Sequence, residues 1–328
     1  MPAAEITRAA PDAAAPEAGE VAVRGSGRLI LSSFARNWQA RIGIGLVLLI
    51  VAFCFLGPVL YRTNQVTVNL NIHDLAPGGG HPLGTDDTGY DVLGRLMLGG
   101  QSSLELGFAV SVITTVVGTV YGAVAGLAGG IVDAIMMRVL DTFLAIPALV
   151  LLLVLVNIFS PNLIILIALI SMLSWLSVAR LVRGEVLSLR PRDFVLAARM
   201  MGSTRNRLLR RHLLPNAIGV IVVSATFTIA DAILYLSTLS FLGLGLPPPH
   251  ADWGTMLSNG LNDLFDGYWW LVYPPAVLLI ITLIAFSLIG DAIRDSLDVR
   301  LQRRLPVRTC AWWRRTGRPW RGRKPWPA

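Results

Sequence analysis

Ser224, Thr228, Asp231, Tyr235 and Thr238 succeed one another at +4, +3, +4 and +3 along an otherwise apolar run. At the helical period this spacing gathers four hydroxyls and one carboxylate into a single stripe. Such a stripe has two uses. It can hydrogen-bond the polar groups of a solute moving past it, or it can tie its helix to neighbouring helices. A carboxylate near the middle of an apolar helix costs about 2.5–3.5 kcal/mol on insertion scales, so Asp231 is expected to face a bundle interior or a water-filled cavity. The stripe is therefore expected to line a path, with the helix-tying role kept beside that expectation.

Other chemistries lack their residues. A phosphate-binding loop ends in Gly-Lys-Ser/Thr, whereas the single lysine here is Lys324 in RGRKP. His73, His81, His212 and His250 are scattered without ligand spacing, so no metal site is expected. No Ser/His/Asp set stands out, and no glycine-rich dinucleotide turn, so neither a catalytic group nor a cofactor is expected. Cys54 and Cys310 form no disulfide framework. The chain reads as a non-enzyme, and ATP could power it only through a partner. Gln101, Ser102, Ser103 and Glu105 form a second polar cluster, expected at an interface. Gly107, Gly118, Gly122 and Gly126 fall near one face and read as packing positions.

The elements that must hold the stripe are membrane spans. Hydrophobic residues are 54% of the 328 and charged ones only 15%, too apolar for a soluble domain. A bilayer core needs roughly 20 apolar residues per helix. Six stretches qualify: 42–60, 104–128, 132–158, 163–182, 213–244 and 270–289, the third with a kink at Pro147. With the N-terminus inside, 26 of the 28 Lys and Arg fall in cytoplasmic segments, leaving Arg62 and Arg95 outside. That is the positive-inside pattern, so the net charge of +8 is a topology signal and not a nucleic-acid footprint. These counts predict an all-α, multi-pass membrane protein with both termini in the cytoplasm.

Between the fourth and fifth spans lies a basic amphipathic island, 183–215. Pro191 is suited to opening a helix. Phe194, Ala197, Ala198 and Met201 at i, i+3, i+4 and i+7 predict one apolar stripe on it. Gly202 supplies a stop, and Ser203 or Thr204 a cap for a second short helix carrying Leu208, Leu209 and Leu213, which Pro215 ends. A helix–Gly–helix elbow of this kind, facing the cytoplasm between two spans, is built to be gripped by another protein.

The island resembles the cytoplasmic loop of ATP-binding-cassette (ABC) importer permeases, whose pattern is Glu-Ala-Ala, three residues, Gly, nine residues, then Ile-x-Leu-Pro. Leu196, Ala197, Ala198, Gly202, His212, Leu213, Leu214 and Pro215 stand at that spacing. Leu196 replaces the usual Glu, and His212 a common Ile. In the first outer loop, His81, Pro82, Leu83, Gly84, Thr85, Asp86, Gly89, Asp91 and Arg95 are similar to the dipeptide, oligopeptide and nickel branch, as is the segment from Phe241 to Leu257. The resemblance spans about residues 36–301. It implies a MetI-like permease core of five transmembrane helices plus one N-terminal helix, in a cell inner membrane. It also implies two P-loop ATPase subunits docked on the elbow, a second permease of related but distinct sequence, and an extracytoplasmic solute-binding protein. The implied cargo is a di- or oligopeptide, with nickel or another small solute as the alternative.

The domain reading is a cytoplasmic tail to 41, the first span 42–60, an extracytoplasmic loop 61–101, the permease domain 102–301 and a basic tail 302–328. Within the outer loop, 92–98 is expected to form a single amphipathic turn. The basic tail interleaves Arg, Trp and Pro, a composition that suits lipid headgroups. A self-sufficient secondary transporter or channel is the rival class. It would need coupling-ion sites and would leave the elbow without a task.

Overall fold

A computed structural model describes residues 34, 36–63, 65 and 67–304, with side chains as far as 297. The parts of the two predicted tails before residue 34 and beyond 304 lie outside the described residues. Among those described, every regular element is helical. The long helices are α1 (Trp38–Leu60), α2 (Val92–Ala128), α5 (Leu163–Leu189), α8 (Leu214–Leu239) and α10 (Tyr273–Arg304). Between them lie α3 (Gly130–Leu144), α4 (Ala148–Ile158), α6 (Asp193–Met200), α7 (Arg205–Leu208) and α9 (Trp253–Asp263). Five helices are long and apolar enough to cross a membrane, and six spans result if α3 and α4 count as one broken span.

Helix α2 is the hub, packed along α5 and α8. Its glycines explain how. A Cβ at Gly122 would collide with the Ala179 carbonyl oxygen, and one at Gly118 would stand 2.8 Å from Val178 Cβ. Backbones this close gain dispersion contacts that lipid tails cannot match, which is the basis of helix association in a bilayer. A central core joins Leu106 and Val110 of α2, Leu152 and Val156 of α4, Leu166 and Ile170 of α5, and Leu236 of α8. Helix α1 lies outside this group against α10, where Gly43 admits Ile289. The opposite faces of α1–α3 leave Leu48, Val116, Val120 and Ile131 exposed, as lipid-facing positions require.

Three expectations change. Helix α2 begins at Val92, so the stretch read as a single turn is the first part of a 37-residue helix. Asp91 explains the start: its Oδ1 accepts from Gly94 N at 2.8 Å, an N-cap. The third apolar stretch is not kinked but broken, with α3 and α4 meeting at 76°. Pro147 precedes the first residue of α4, where its missing N–H costs nothing, and it forces Ile146 out of helical geometry. Pro215 lies within a continuous helical run where an end was predicted. It sits in the first turn of α8, and a π-turn over Leu209–Leu213 runs α7 into α8 without interruption. Asn216 Nδ2 donates to the His212 carbonyl at 2.6 Å, taking up an acceptor in the widened turn.

Candidate coupling surface and translocation face

The elbow is two caps back to back. Helix α6 closes with Gly202 N–H donating to Arg199 O at 2.9 Å and Ser203 N–H to Ala198 O at 3.1 Å. That is the Schellman pattern, and Gly202 supplies its left-handed residue at φ 79°. Thr204 then caps α7, its hydroxyl accepting from Arg207 N. Both stop and cap lie where the sequence put them.

The apolar stripe of α6 divides into two faces. Val195 and Ala198 are buried with Leu208 and Leu213 against Val178, Val182 and Val186 of α5 and Ala217 and Ile221 of α8. Phe194, Leu196, Met200 and Met201 are instead 41%, 43%, 89% and 79% exposed, and Ala197 and Gly202 are exposed beside them. Of the residues singled out from the sequence, Ala198 and Leu213 therefore anchor the elbow. Leu196, Ala197, Gly202 and Pro215 face outward, and His212 and Leu214 are half-buried. Ala198 and Met201 do not share a face with one environment, contrary to the single stripe expected. A 3.6-residue period fixes which residues lie together, not what they meet. Val195, Met200 and the outward role of Phe194 were missed for that reason.

Helix α8 carries the polar stripe. Asp231 is exposed, Tyr235 and Thr238 are half-buried, and Ser224 and Thr228 are buried. The hydroxyls donate within their own helix: Ser224 to Ile221 O at 2.9 Å, Thr228 to Ser224 O at 2.8 Å and Thr238 to Leu234 O at 2.7 Å. A hydroxyl that does bridge two spans is Ser111 of α2, donating to Ala225 O at 2.7 Å. Val220, eleven residues before Asp231, shares its face. It borders an open groove with Leu144, Ser177, Arg180 and Gly184, between α3, α5 and α8. The face bearing Asp231 thus continues, toward the elbow, into a mostly apolar groove edged by Arg180 and Glu185.

The two outer motifs fold onto each other. Asp91 Oδ2 accepts from Tyr61 OH at 2.8 Å and lies 2.7 Å from His81 Nδ1. Burial first, and then the Asp91 carboxylate, push the Tyr61 phenol up to about 12, so it remains a donor. Arg95 Nη1 donates to Pro249 O at 2.8 Å while its guanidinium lies 4.2 Å over the Tyr90 ring. Trp253 Nε1 donates to Leu96 O at 3.0 Å. Gly89, at φ 80°, brings its Cα so close to Asn69 O that a Cβ there would collide with it. These motif residues build an outer cap over the bundle. Beside that cap Asp74, Asp86, Asp87 and Asp263 cluster, and burial together with the neighbouring carboxylates raises Asp87 above the usual range.

Comparison with known proteins agrees with this arrangement. A family model described as the binding-protein-dependent transport system inner membrane component matches residues 118–303. A second, the N-terminal TM domain of oligopeptide transport permease C, matches residues 26–77. The oligopeptide transport system permease protein OppC of Escherichia coli is 40% identical over 267 residues, covering 81% of this chain and 88% of that protein. The Bacillus subtilis OppC is 37% identical over 270 residues, 82% of this chain and 88% of the relative. The dipeptide permease DppC of the same organism is 37% identical over 268 residues, 82% of this chain and 84% of the relative. A chain of the inward-facing MetNI methionine ABC transporter shares the fold, with a TM-score of 0.52 at 23% identity over 62% of this chain and 96% of that one. The protein belongs to the inner-membrane permease components of binding-protein-dependent ABC transport systems and is a multi-pass inner-membrane protein.

Proposed function

We propose that the chain is one of two permease subunits of a peptide importer, coupled through its elbow to two separate P-loop ATPases and fed by an extracytoplasmic solute-binding protein. The observation that carries this reading is the outward apolar face of α6. Phe194, Leu196, Met200 and Met201 stand exposed on a cytoplasmic helix whose opposite face is anchored in the bundle. Exposed methionine and phenylalanine clusters of this kind mark a surface that another protein covers. The arginines around it give the covering cleft an acidic preference.

Peptide cargo is proposed from the OppC and DppC relatives, and a distinct second permease is the expected partner across the face bearing Asp231. The exposed part of the stripe, Asp231 with Tyr235 and Thr238, then borders the translocation path and offers acceptors to the amide and ammonium donors of a peptide, with Ser224 and Thr228 buried behind it. Closure of the ATPase dimer on nucleotide would move the elbow as a lever and tilt α5 and α8, alternating the path between its two openings. Uptake of labelled dipeptide into vesicles holding the permease pair, ATPases and binding protein tests this. It should require ATP and the elbow. Uptake that continues without the ATPases would favour a self-sufficient transporter.

A further inference from the structure

Helix α3 has little holding it. Of its residues only Asp133 and Leu140 are buried, while Ile131, Val132, Ile135 and Val139 are exposed. Leu140 seats against Leu176 and Ala179 of α5 with Met137 and Leu144 part-buried beside it, and Tyr121 OH of α2 donates to Met136 O at 2.8 Å, contacts that leave the N-terminal turns of α3 free to swing. Two carboxylates oppose that freedom. Asp133 accepts from Arg183 Nε and Nη2 at 2.5 and 2.7 Å, and Asp141 accepts from Arg180 Nη2 at 2.5 Å. The forked Asp133–Arg183 pair fixes orientation as well as distance.

The two pins lie eight residues apart on α3, about 12 Å along its axis, but three apart on α5, about 4.5 Å. Together they set the slide, the roll and the crossing angle of α3. They differ in strength. The Arg183 and Asp133 side chains are 29% and 12% exposed, so solvent and salt screen that pair less than the half-exposed second one. Arg190, at the start of the elbow, ties down the last turn of α2, just ahead of α3, by donating from Nη1 to Gly126 O at 2.9 Å. Its guanidinium also lies against Gly129, in the turn between α2 and α3.

From this geometry we propose that Asp133 and Arg183 are positioning residues of the transport cycle: their ion pair makes α3, and α4 beyond it, move as one body with α5 and the elbow. The importer reading above supplies the source of the motion; the clamp itself does not depend on it. Without the clamp, displacement of the elbow is absorbed by a swing of α3 about the contacts of Met136, Met137 and Leu140, and ATP is hydrolysed with less solute moved.

The test is a spin-label distance between Ile135→Cys on α3 and Ser188→Cys on α5, in a chain carrying Cys54→Ala and Cys310→Ala, in the assembled importer in nanodiscs. The wild-type clamp should give one narrow distance, the same without nucleotide and with ATP trapped. Asp133→Asn should broaden it and lower the solute moved per ATP roughly fivefold, with ATPase capture unchanged and Asp133→Glu largely restoring both. A wild-type distance that shifts between the states by a helical turn, about 5.4 Å, overturns the proposal without recourse to any variant. So does an Asp133→Asn protein with wild-type distance and stoichiometry. If the wild-type chain captures no ATPase, the importer reading fails. The distance in the isolated chain, wild type against Asp133→Asn, then still decides the clamp.

Discussion

Asp231 is the residue on which the path reading turns. It places a carboxylate on the exposed side of a membrane helix, where only water or a partner's polar groups offset the cost of about 2.5–3.5 kcal/mol. Asp231→Asn should keep shape and partners but lose the charge. Transport is expected to fall at least tenfold, about 1.4 kcal/mol in the barrier, with ATPase co-purification and melting temperature unchanged. Loss of folding instead would return the stripe to a helix-tying role. Asp87, on the outer cap, makes a prediction in pH. Burial and then Asp86, Asp263 and Asp74 raise its folded pKa, so the folded state holds the proton more tightly than the unfolded one. Its contribution to stability is full below the unfolded value and is lost as pH rises through the folded one. Asp87→Asn should therefore raise the melting temperature at pH 7 slightly, on the order of 1 °C for so exposed a group, and leave it unchanged near pH 3. At this scale the local chemistry was legible. Gly202 as a stop and Thr204 as a cap depend on residues within one turn, which the sequence displays. The Asp133–Arg183 pair joins residues fifty positions apart, and neither has a local pattern to betray it.

Among the elements, α6 shows where periodicity ends. Its apolar residues were visible, but the division into an anchored face and an outward one was not, because a core and a partner's cleft select the same side chains. The two faces predict opposite outcomes. Met201→Glu should abolish ATPase capture, a loss of roughly 2 kcal/mol or more if Met201 is central to the contact, while the detergent-solubilised permease melts as before. Val195→Asp places an unpaired charge in the α5–α8 core and should lower the melting temperature along with capture. Equal effects on folding from both would deny that α6 has an outward face. Helix α2 offers a separate check. Gly122→Val puts branched carbons where even a Cβ collides with the Ala179 carbonyl. Overpacking of this kind costs about 1–3 kcal/mol, so the folded yield in membranes should drop, whereas Gly45→Val, in open space, should leave it unaltered. Pro147 and Pro215 depart from their expected roles for one reason. What a proline ring does depends on how the turn before it can adjust: Ile146 leaves the helix before Pro147, whereas the residues before Pro215 stay helical through a widened π-turn.

For the whole molecule, hydropathy and the placement of arginines displayed the spans, since a bilayer demands length and apolarity of each crossing. What composition could not display is the way the cap at one end of the bundle and the elbow at the other are joined to the helices between them. Those joins are made by residues far apart in the chain, such as Arg95 with Pro249, Arg190 with Gly126, and Val195 and Ala198 against the valines of α5. The central claim is that the elbow is pulled by a separate nucleotide-hydrolysing subunit. A photo-crosslinking amino acid at Met201, 79% exposed at the elbow's outer face, tests it most directly in membranes that contain the whole importer. A covalent adduct with the ATPase is expected there, and none from a probe at the buried Ala198. Failure of the Met201 probe to capture any ATPase while ATP-dependent uptake proceeds would contradict the claim.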